Sequence, residues 1–326
     1  MRAITYKQAG LEAMDEEMAR DPKVFILGED IGEHWGGTCG EFQGLWEKYG
    51  AERVRATPIS ETAIVGGAIG AALVGMRPIA NVMFANFLTV PMDEIFNQLT
   101  KIRYMFGSKC KLPVTLICIV GGGLSAAAQH SQCLEGFLMS ITGLKIASPS
   151  NPYDLKGLLK SAIREDNPVI VFEHLMPLIG GMKGEVPEDE YTIPLGKADI
   201  KREGTDVTIV AIGNMVNQAL IAAETLQGKG ISAEIIDPRT LVPLDEPAII
   251  DSIQKTGRLV IIDEEPVTGS AASEIAATIT EQAFDLLDAP IKRVCAPNTS
   301  IPFSPVLEQF WLPNAEKLID AVQEIM

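Results

Sequence analysis

The sequence is poor in the residues that define several common classes of protein. It has 5 cysteines among 326 residues, none in a C-x-x-C pair, and only 3 histidines. A disulfide framework and a zinc site of closely spaced ligands are therefore not expected. Free, mostly buried thiols suit a reducing compartment, which predicts the cytoplasm.

Long apolar runs are also missing. The longest stretch without a charged or polar side chain covers residues 63–76, whereas a helix that spans a bilayer needs about 20 such residues. The first 21 residues predict a helix that is capped by Thr5 and contains several acids, and they lack the apolar core of a signal peptide. No membrane association is expected.

Positive charge is scarce as well. Lysine and arginine total 27 against 43 acidic residues, which gives a formal net charge of -16. Such a surface repels nucleic acid and anionic membranes. It would suit a basic protein partner, although many enzymes are simply acidic. With 47% hydrophobic and 21% charged residues, the chain can form two ordered domains.

Short apolar runs alternate with helical patterns along almost the whole chain. This alternation predicts an α/β protein of two domains, each a mainly parallel sheet flanked by helices. Helical patterns are predicted at residues 91–106 and 131–141, among others. The segment 181–203 is rich in glycine, proline and charge and is predicted to link a domain of residues 1–180 to one of residues 204–326.

A glycine-rich loop, GGGLSA at residues 121–126, follows a predicted strand. It matches a loose form of the dinucleotide fingerprint, which makes a nicotinamide-dependent oxidoreductase one alternative. A true site needs an acid about 20 residues later, at the end of the next strand, and here that segment reads LKIASPSN. A flexible loop at the carboxyl end of a strand is the better interpretation, and such loops often contact ligands.

Three other positions have both a structural and a functional interpretation. His130 follows the glycine loop and is either a ligand contact or a histidine satisfied by nearby backbone. Glu61 is predicted to begin a very apolar helix. Its carboxylate either interacts favourably with the helix dipole, or it lies in an apolar pocket and holds a proton for a ligand nitrogen. The aromatic residues near Phe87 belong to the core or stack on a flat ring.

Six motifs occur together in an ordered set that spans nearly the whole chain. Their order and spacing closely resemble the beta subunits of pyruvate, acetoin and branched-chain 2-oxo-acid dehydrogenase complexes. The motifs are GED at 28–30, TPISE at 57–61, GMRPIANVMFANF at 75–87, AAQHSQ at 127–132, SPSNPYDLKGLLKSAIREDNPV at 148–169 and DPRTLVPLD at 237–245.

The resemblance implies an N-terminal domain that holds the aminopyrimidine ring of thiamine diphosphate and a C-terminal domain used in assembly. It implies that Glu61 hydrogen-bonds the ring nitrogen and that Phe87 stacks on the ring, with Ile59 and Met83 beside it. It also implies that His130 faces the reacting carbons and helps to pass the acyl group to lipoyl-lysine.

A structural potassium site is implied more weakly, because its ligands are mostly backbone carbonyls. The residues at the matching positions are Val114, Ala162, Ile163, Glu165 and Asn167.

Partner subunits are implied too. Thiamine-diphosphate enzymes anchor the diphosphate through Mg²⁺ with a Gly-Asp-Gly motif, and none occurs in this sequence. An alpha subunit that holds Mg²⁺ in an α2β2 heterotetramer is therefore expected. Asp288 resembles a position that pairs with the lipoyl acyltransferase component.

The resemblance leaves the substrate open between pyruvate and acetoin. Gln129 stands before His130 where branched-chain subunits tend to have an aromatic, so a branched-chain 2-oxo acid is the less favoured alternative. A purely structural assembly subunit is a further alternative, but such a subunit would need neither Glu61 nor His130.

Overall fold

The computed structural model describes residues 1–33 and 35–326, in which strands and helices alternate. Their order is β1 (Arg2–Thr5), α1 (Tyr6–Arg20), β2 (Val24–Glu29), α2 (Leu45–Tyr49), β3 (Val54–Thr57), α3 (Glu61–Leu73), β4 (Arg77–Phe84), α4 (Ile102–Met105), β5 (Thr115–Val120), α5 (Glu135–Met139), β6 (Lys145–Ala147), α6 (Pro152–Arg164), β7 (Val169–His174), α7 (Leu175–Ile179), β8 (Lys183–Val186), β9 (Asp199–Arg202), β10 (Val207–Ala211), α8 (Met215–Gly228), β11 (Ala233–Asp237), β12 (Thr240–Val242), α9 (Glu246–Thr256), β13 (Leu259–Pro266), α10 (Ala271–Ala283), β14 (Lys292–Ala296), α11 (Pro305–Trp311) and α12 (Ala315–Gln323).

The chain forms two compact units. The first contains Met1–Val120 and Ile141–Leu195, and the second contains Gly121–Ser140 and Gly196–Met326. The sequence-based division keeps residues 1–180 together, whereas in the structure the segment Gly121–Ser140 groups with the second unit.

A parallel sheet organises the first unit. Its strands follow the order β6-β7-β5-β4-β2-β3, and every neighbouring pair among them is parallel. Strands of this kind are apolar along their length because helices cover both faces, and all six residues of β5 and of β7 are buried. Their carboxyl ends therefore meet at one edge of the sheet.

Local sequence explains where the main helices of this unit begin. The Thr5 side chain accepts a hydrogen bond from the backbone N–H of Gln8 at 3.1 Å, which confirms the predicted cap of α1. Asn151 caps α6 in the same way at 2.9 Å, with Pro152 in the first turn, where its missing N–H costs nothing.

A buried carboxyl lies at the end of β7. Glu173 is 2% exposed, and burial, together with the nearby carboxylate of Glu41, raises the pKa of Glu173 to about 8. This side chain therefore carries its proton at neutral pH.

The second unit has its own sheet in the order β14-β13-β10-β11-β9. Strands β10, β11, β13 and β14 pair in parallel, and β9 pairs antiparallel with β11 at one edge. Both units are thus α/β layers built on mainly parallel sheets, as the sequence predicts.

Three segments differ from the sequence-based expectation. Residues 91–106 do not form one helix: a π-helical stretch, Glu94–Leu99, precedes the short α4. The hydroxyl of Thr100 donates to the carbonyl of Phe96 at 2.9 Å, and a side-chain bond of this kind disturbs the regular helix. The predicted helix at 131–141 is shortened to α5. The predicted linker contains two strands, β8 and β9.

Two further expectations concern the membrane and the thiols. Within residues 1–33 and 35–326, no helix is long and apolar enough to cross a membrane.

All five cysteines are free. Burial raises the pKa of the Cys39 thiol to about 11, which makes this thiol unreactive near neutral pH.

Candidate active site

Glu61 and Ile59 lie at the turn between β3 and α3, at the carboxyl edge of the first unit's sheet. Glu61 is the first residue of α3 and is half-buried, while the side chain of Ile59 is 75% exposed. The helix that follows buries an apolar face, which includes Ile64 and Val65. This packing fixes where the helix begins and so places the Glu61 carboxyl at the strand edge, where α/β proteins bind ligands.

Met83 lies at the same edge, in an irregular end of β4. The pairing of β4 with β5 shifts register between Asn81 and Phe84, and Met83 has a φ of 61°. Its backbone N–H donates to the side chain of Asn81 at 3.1 Å. A left-handed conformation in a methionine costs free energy and is concentrated at functional sites.

Phe87 follows in the short helical turn Ala85–Thr89. Its ring meets that of Phe84 edge to face, with centroids 6.3 Å apart and planes at 85°. Both Met83 and Phe87 are half-buried against the core of this unit. A ring held in this way is a suitable platform for a flat heterocycle.

Glu29 and Asp30 make this edge acidic, which sequence analysis missed. Burial raises the pKa of the Glu29 carboxyl, and the negative charges of Asp30 and Glu61 add to the shift. The signal in the sequence was the GED motif at the end of β2, next to the strand that precedes Glu61. The structure thus brings Ile59, Glu61, Met83 and Phe87 to one edge, which also carries the Glu29 carboxyl with its raised pKa.

His130 belongs to the second unit. It lies in the segment Gly121–Ser140 and is half-buried, and its backbone N–H donates to the carbonyl of Ala127 at 3.3 Å. Ala127 and Ser125 have φ angles of 62° and 56°, so the backbone before the histidine is strained.

The backbone donors of the glycine loop ahead of His130 are already bonded to side chains. The backbone N–H groups of Gly122 and Gly123 donate to the carboxylates of Glu264 and Glu308 at 2.6 and 3.0 Å. In a dinucleotide site these donors would face the diphosphate at the start of a helix, but here the helix that follows this loop begins only at Glu135. This geometry argues against the nicotinamide alternative.

Two family models cover most of the chain. Residues 2–178 match the pyrimidine-binding domain of transketolase, and residues 196–318 match the transketolase C-terminal domain. The beta subunit of an acetoin:2,6-dichlorophenolindophenol oxidoreductase from Bacillus subtilis is 50% identical, over 100% of this chain and 98% of its own length. The chain belongs to the family of thiamine-diphosphate-dependent dehydrogenase beta subunits.

Other relatives of this beta subunit have several named substrates. From Bacillus subtilis, a 2-oxoisovalerate dehydrogenase subunit beta is 45% identical and a pyruvate dehydrogenase E1 component subunit beta is 41% identical, each over 100% of this chain and 99% of the relative. A solved split-gene transketolase, described as an inactive beta4 tetramer, matches with a TM-score of 0.80 at 25% identity, over 99% of this chain and 98% of that one.

The residues predicted to bind potassium lie where β5, α6 and β7 of the beta subunit meet. The guanidinium of Arg77 donates to the carbonyl oxygens of Ile163 and Glu165 at 3.1 and 3.0 Å. The carbonyl of Val114 accepts from Val169 at 3.0 Å. Two of the expected oxygen ligands thus already face a positive charge. The full set is Val114, Ala162, Ile163, Glu165 and Asn167.

Asp288 lies in the second unit, on a groove of about 960 Å³ between α10 and β14. Its backbone N–H donates to the carbonyl of Gly257 at 2.7 Å. The lining of the groove includes the aromatic side chain of Phe284, which is 67% exposed, and charged groups that include Arg293. Such a surface suits a protein partner.

Proposed function

We propose that this chain is the beta subunit of a thiamine-diphosphate enzyme that cleaves acetoin or pyruvate and passes the acyl group to lipoyl-lysine of an acyltransferase core. The observation that carries the proposal is the placement of Glu61, Met83 and Phe87 at one edge of a parallel sheet. Acetoin is the first substrate to test, because the acetoin relatives from Bacillus subtilis and Cupriavidus necator are both 50% identical.

The residues present fit the aminopyrimidine half of the cofactor. The Glu61 carboxyl would hold a proton at the ring nitrogen, and the Phe87 ring would stack on the pyrimidine, with Met83 and Ile59 beside it. Once bound, thiamine diphosphate supplies a nucleophilic carbon and an electron sink. His130 would hold or donate a proton while the acyl group passes to the lipoyl sulfur.

Under this proposal residues 1–180 form the aminopyrimidine-binding domain and residues 204–326 the assembly domain. The Mg²⁺ and the diphosphate would be held by an alpha subunit in an α2β2 heterotetramer. The free cysteines suit work in the cytoplasm.

The test is reconstitution with an alpha subunit encoded beside this chain. The rates of oxidation of acetoin, pyruvate and 2-oxoisovalerate would be compared with one another in an assay that uses an artificial electron acceptor. The proposal requires that acetoin or pyruvate give the highest kcat/KM. A preference for 2-oxoisovalerate would assign the branched-chain alternative, and no activity with any of the three would reject the proposed reaction.

Potassium is proposed as a structural ion at the loop that includes Glu165 and Asn167. We expect the melting temperature of the chain to rise in KCl relative to choline chloride at equal ionic strength, because bound potassium stabilises the folded state. Equal melting temperatures in the two salts would contradict a potassium site at this loop.

The groove at Asp288 is proposed to bind the acyltransferase component through a basic residue. Asp288→Ala should slow capture of that component by about threefold to tenfold at low salt and less at high salt, because rim charges act mainly on the association rate. Asp285→Ala is the matched control, since Asp285 is exposed nearby but does not line the groove. Association rates measured across a salt series would contradict the assignment if the two variants behaved alike.

A further inference from the structure

Buried carboxylates of the second unit hold the backbone of the glycine loop that precedes His130. One Glu308 oxygen accepts from the N–H of Gly123 at 3.0 Å, and the other accepts from the N–H of Ser125 at 2.8 Å and from its hydroxyl at 3.3 Å. Glu264 accepts from the N–H of Gly122 at 2.6 Å. Three backbone donors within four residues thus end on two side chains that are more than 140 positions away in the sequence.

Burial makes the Glu308 contacts strong. This glutamate is 1% exposed, and within residues 1–33 and 35–326 no lysine or arginine forms an ion pair with it. The charge of Glu308 is therefore compensated by the loop's own N–H and hydroxyl groups. Hydrogen bonds to a buried charge are about twice as strong as neutral ones, and loss of the partner is costly on either side.

Helix α11, which carries Glu308, is held in place by apolar packing and a hydrogen bond of Trp311. Trp311 packs with Ile301 and Ala296 in a small apolar cluster, and its indole N–H donates to the carbonyl of Thr299 at 3.1 Å. A Cβ placed on Gly122 would lie 2.6 Å from Ile301 and 3.3 Å from the Glu308 carboxylate. A side chain at this position would therefore have to displace the end of the Ile301 side chain and would crowd the Glu308 carboxylate.

The contacts also offset strain in the loop. Gly121 and Gly123 have φ angles of 90° and 113°, and Ser125 and Ala127 have φ angles of 56° and 62°. The two non-glycine residues each cost on the order of 1–3 kcal/mol in this region, so the conformation persists only where surrounding bonds hold it. The carbonyl of the last strained residue, Ala127, accepts a hydrogen bond from the backbone N–H of His130. The position of the histidine backbone therefore depends on the conformation of the loop.

We propose that Glu308, assisted by Glu264, is a positioning residue that sets the place of the His130 imidazole by clamping the backbone of residues 122–125. The proposal rests on the role of His130 in the proposed function. It adds that α11 controls acyl transfer through this loop.

The first readout does not depend on activity. In the reconstituted holoenzyme, Glu308→Gln places an amide N–H₂ against backbone N–H donors, because one of its two acceptor oxygens is lost. Hydrogen exchange at residues 122–125 should speed up on the order of tenfold to a hundredfold, with no change in β10. Glu308→Asp keeps the charge and should restore part of the protection. Glu316→Gln, an exposed acid of the neighbouring α12, is the control.

The second readout is a double-mutant cycle with His130→Ala in the lipoyl acylation assay. Glu308→Gln should lower kcat at least tenfold in the native background, leave the KM for thiamine diphosphate within about twofold, and have little further effect once His130 is removed. If Glu308→Gln does not assemble, Glu264→Gln serves in both readouts.

The outcomes separate this inference from the proposed function. Unchanged exchange at residues 122–125, or losses of rate that simply multiply in the double variant, would overturn the positioning role. Activity of His130→Ala within threefold of wild type would instead reject the role of His130 in the proposed function, while the exchange data would still report whether the clamp exists.

Discussion

Replacement of Glu61 by glutamine is expected to lower the activity of the reconstituted enzyme on the order of 10²–10⁴-fold while leaving assembly with the alpha subunit intact. The amide has almost the same shape as the carboxyl, and α3 would still begin at this position. Under the proposed function, what the amide loses is the ability to share a proton with the ring nitrogen of the cofactor. Steady-state rates at saturating thiamine diphosphate, with assembly followed by light scattering, measure this effect.

The acidic surroundings of Glu61 support the expected loss of activity in Glu61→Gln. Burial and the charges of Asp30 and Glu61 raise the pKa of the Glu29 carboxyl, so the surroundings of Glu61 at this edge are acidic. Glu47→Gln is the matched control, because Glu47 is an exposed acid in the first turn of α2 in the same unit. Activity of Glu61→Gln within threefold of the control would remove Glu61 from its assigned role.

Replacement of His130 by alanine is expected to separate cleavage of the substrate from transfer of the acyl group. Cleavage is driven mainly by the cofactor as an electron sink. Transfer additionally requires a proton on the lipoyl sulfur that departs, and histidine is the side chain that holds or releases a proton near neutral pH. Lipoyl acylation should fall on the order of 10²-fold or more, and oxidation by an artificial acceptor should fall much less.

Both rates are measured on one preparation, so the artificial-acceptor assay is the internal control for folding and cofactor loading. The competing interpretation is that His130 mainly orients the substrate, in which case the two rates would decrease together. A parallel loss would therefore reject the transfer role and retain only a binding role for the loop.

Sequence patterns predicted the parts of the fold that depend on neighbouring residues. The cap at Thr5 and the start of α3 at Glu61 follow from local hydrogen bonding and an apolar helical face. The alternation of strands and helices predicted two parallel α/β layers. The site residues of the first unit were predicted by the resemblance, and the structure places them at one sheet edge.

The rest depends on contacts between distant positions. The left-handed conformation of Met83 has no sequence signature, because it arises from the shifted pairing of β4 with β5. The short α5 begins where the Glu265 carboxylate accepts the N–H of Gly136 at 2.9 Å. Likewise the segment Gly121–Ser140 joins the second unit through bonds to Glu264 and Glu308, which no local pattern could indicate.

The most direct test of the half-site account is isothermal titration of thiamine diphosphate into the purified chain, with and without Mg²⁺, and then into its complex with an alpha subunit. The account predicts that the chain alone shows no Mg²⁺-dependent binding in the micromolar range and that the complex does. Micromolar, Mg²⁺-dependent binding by the chain alone would contradict it.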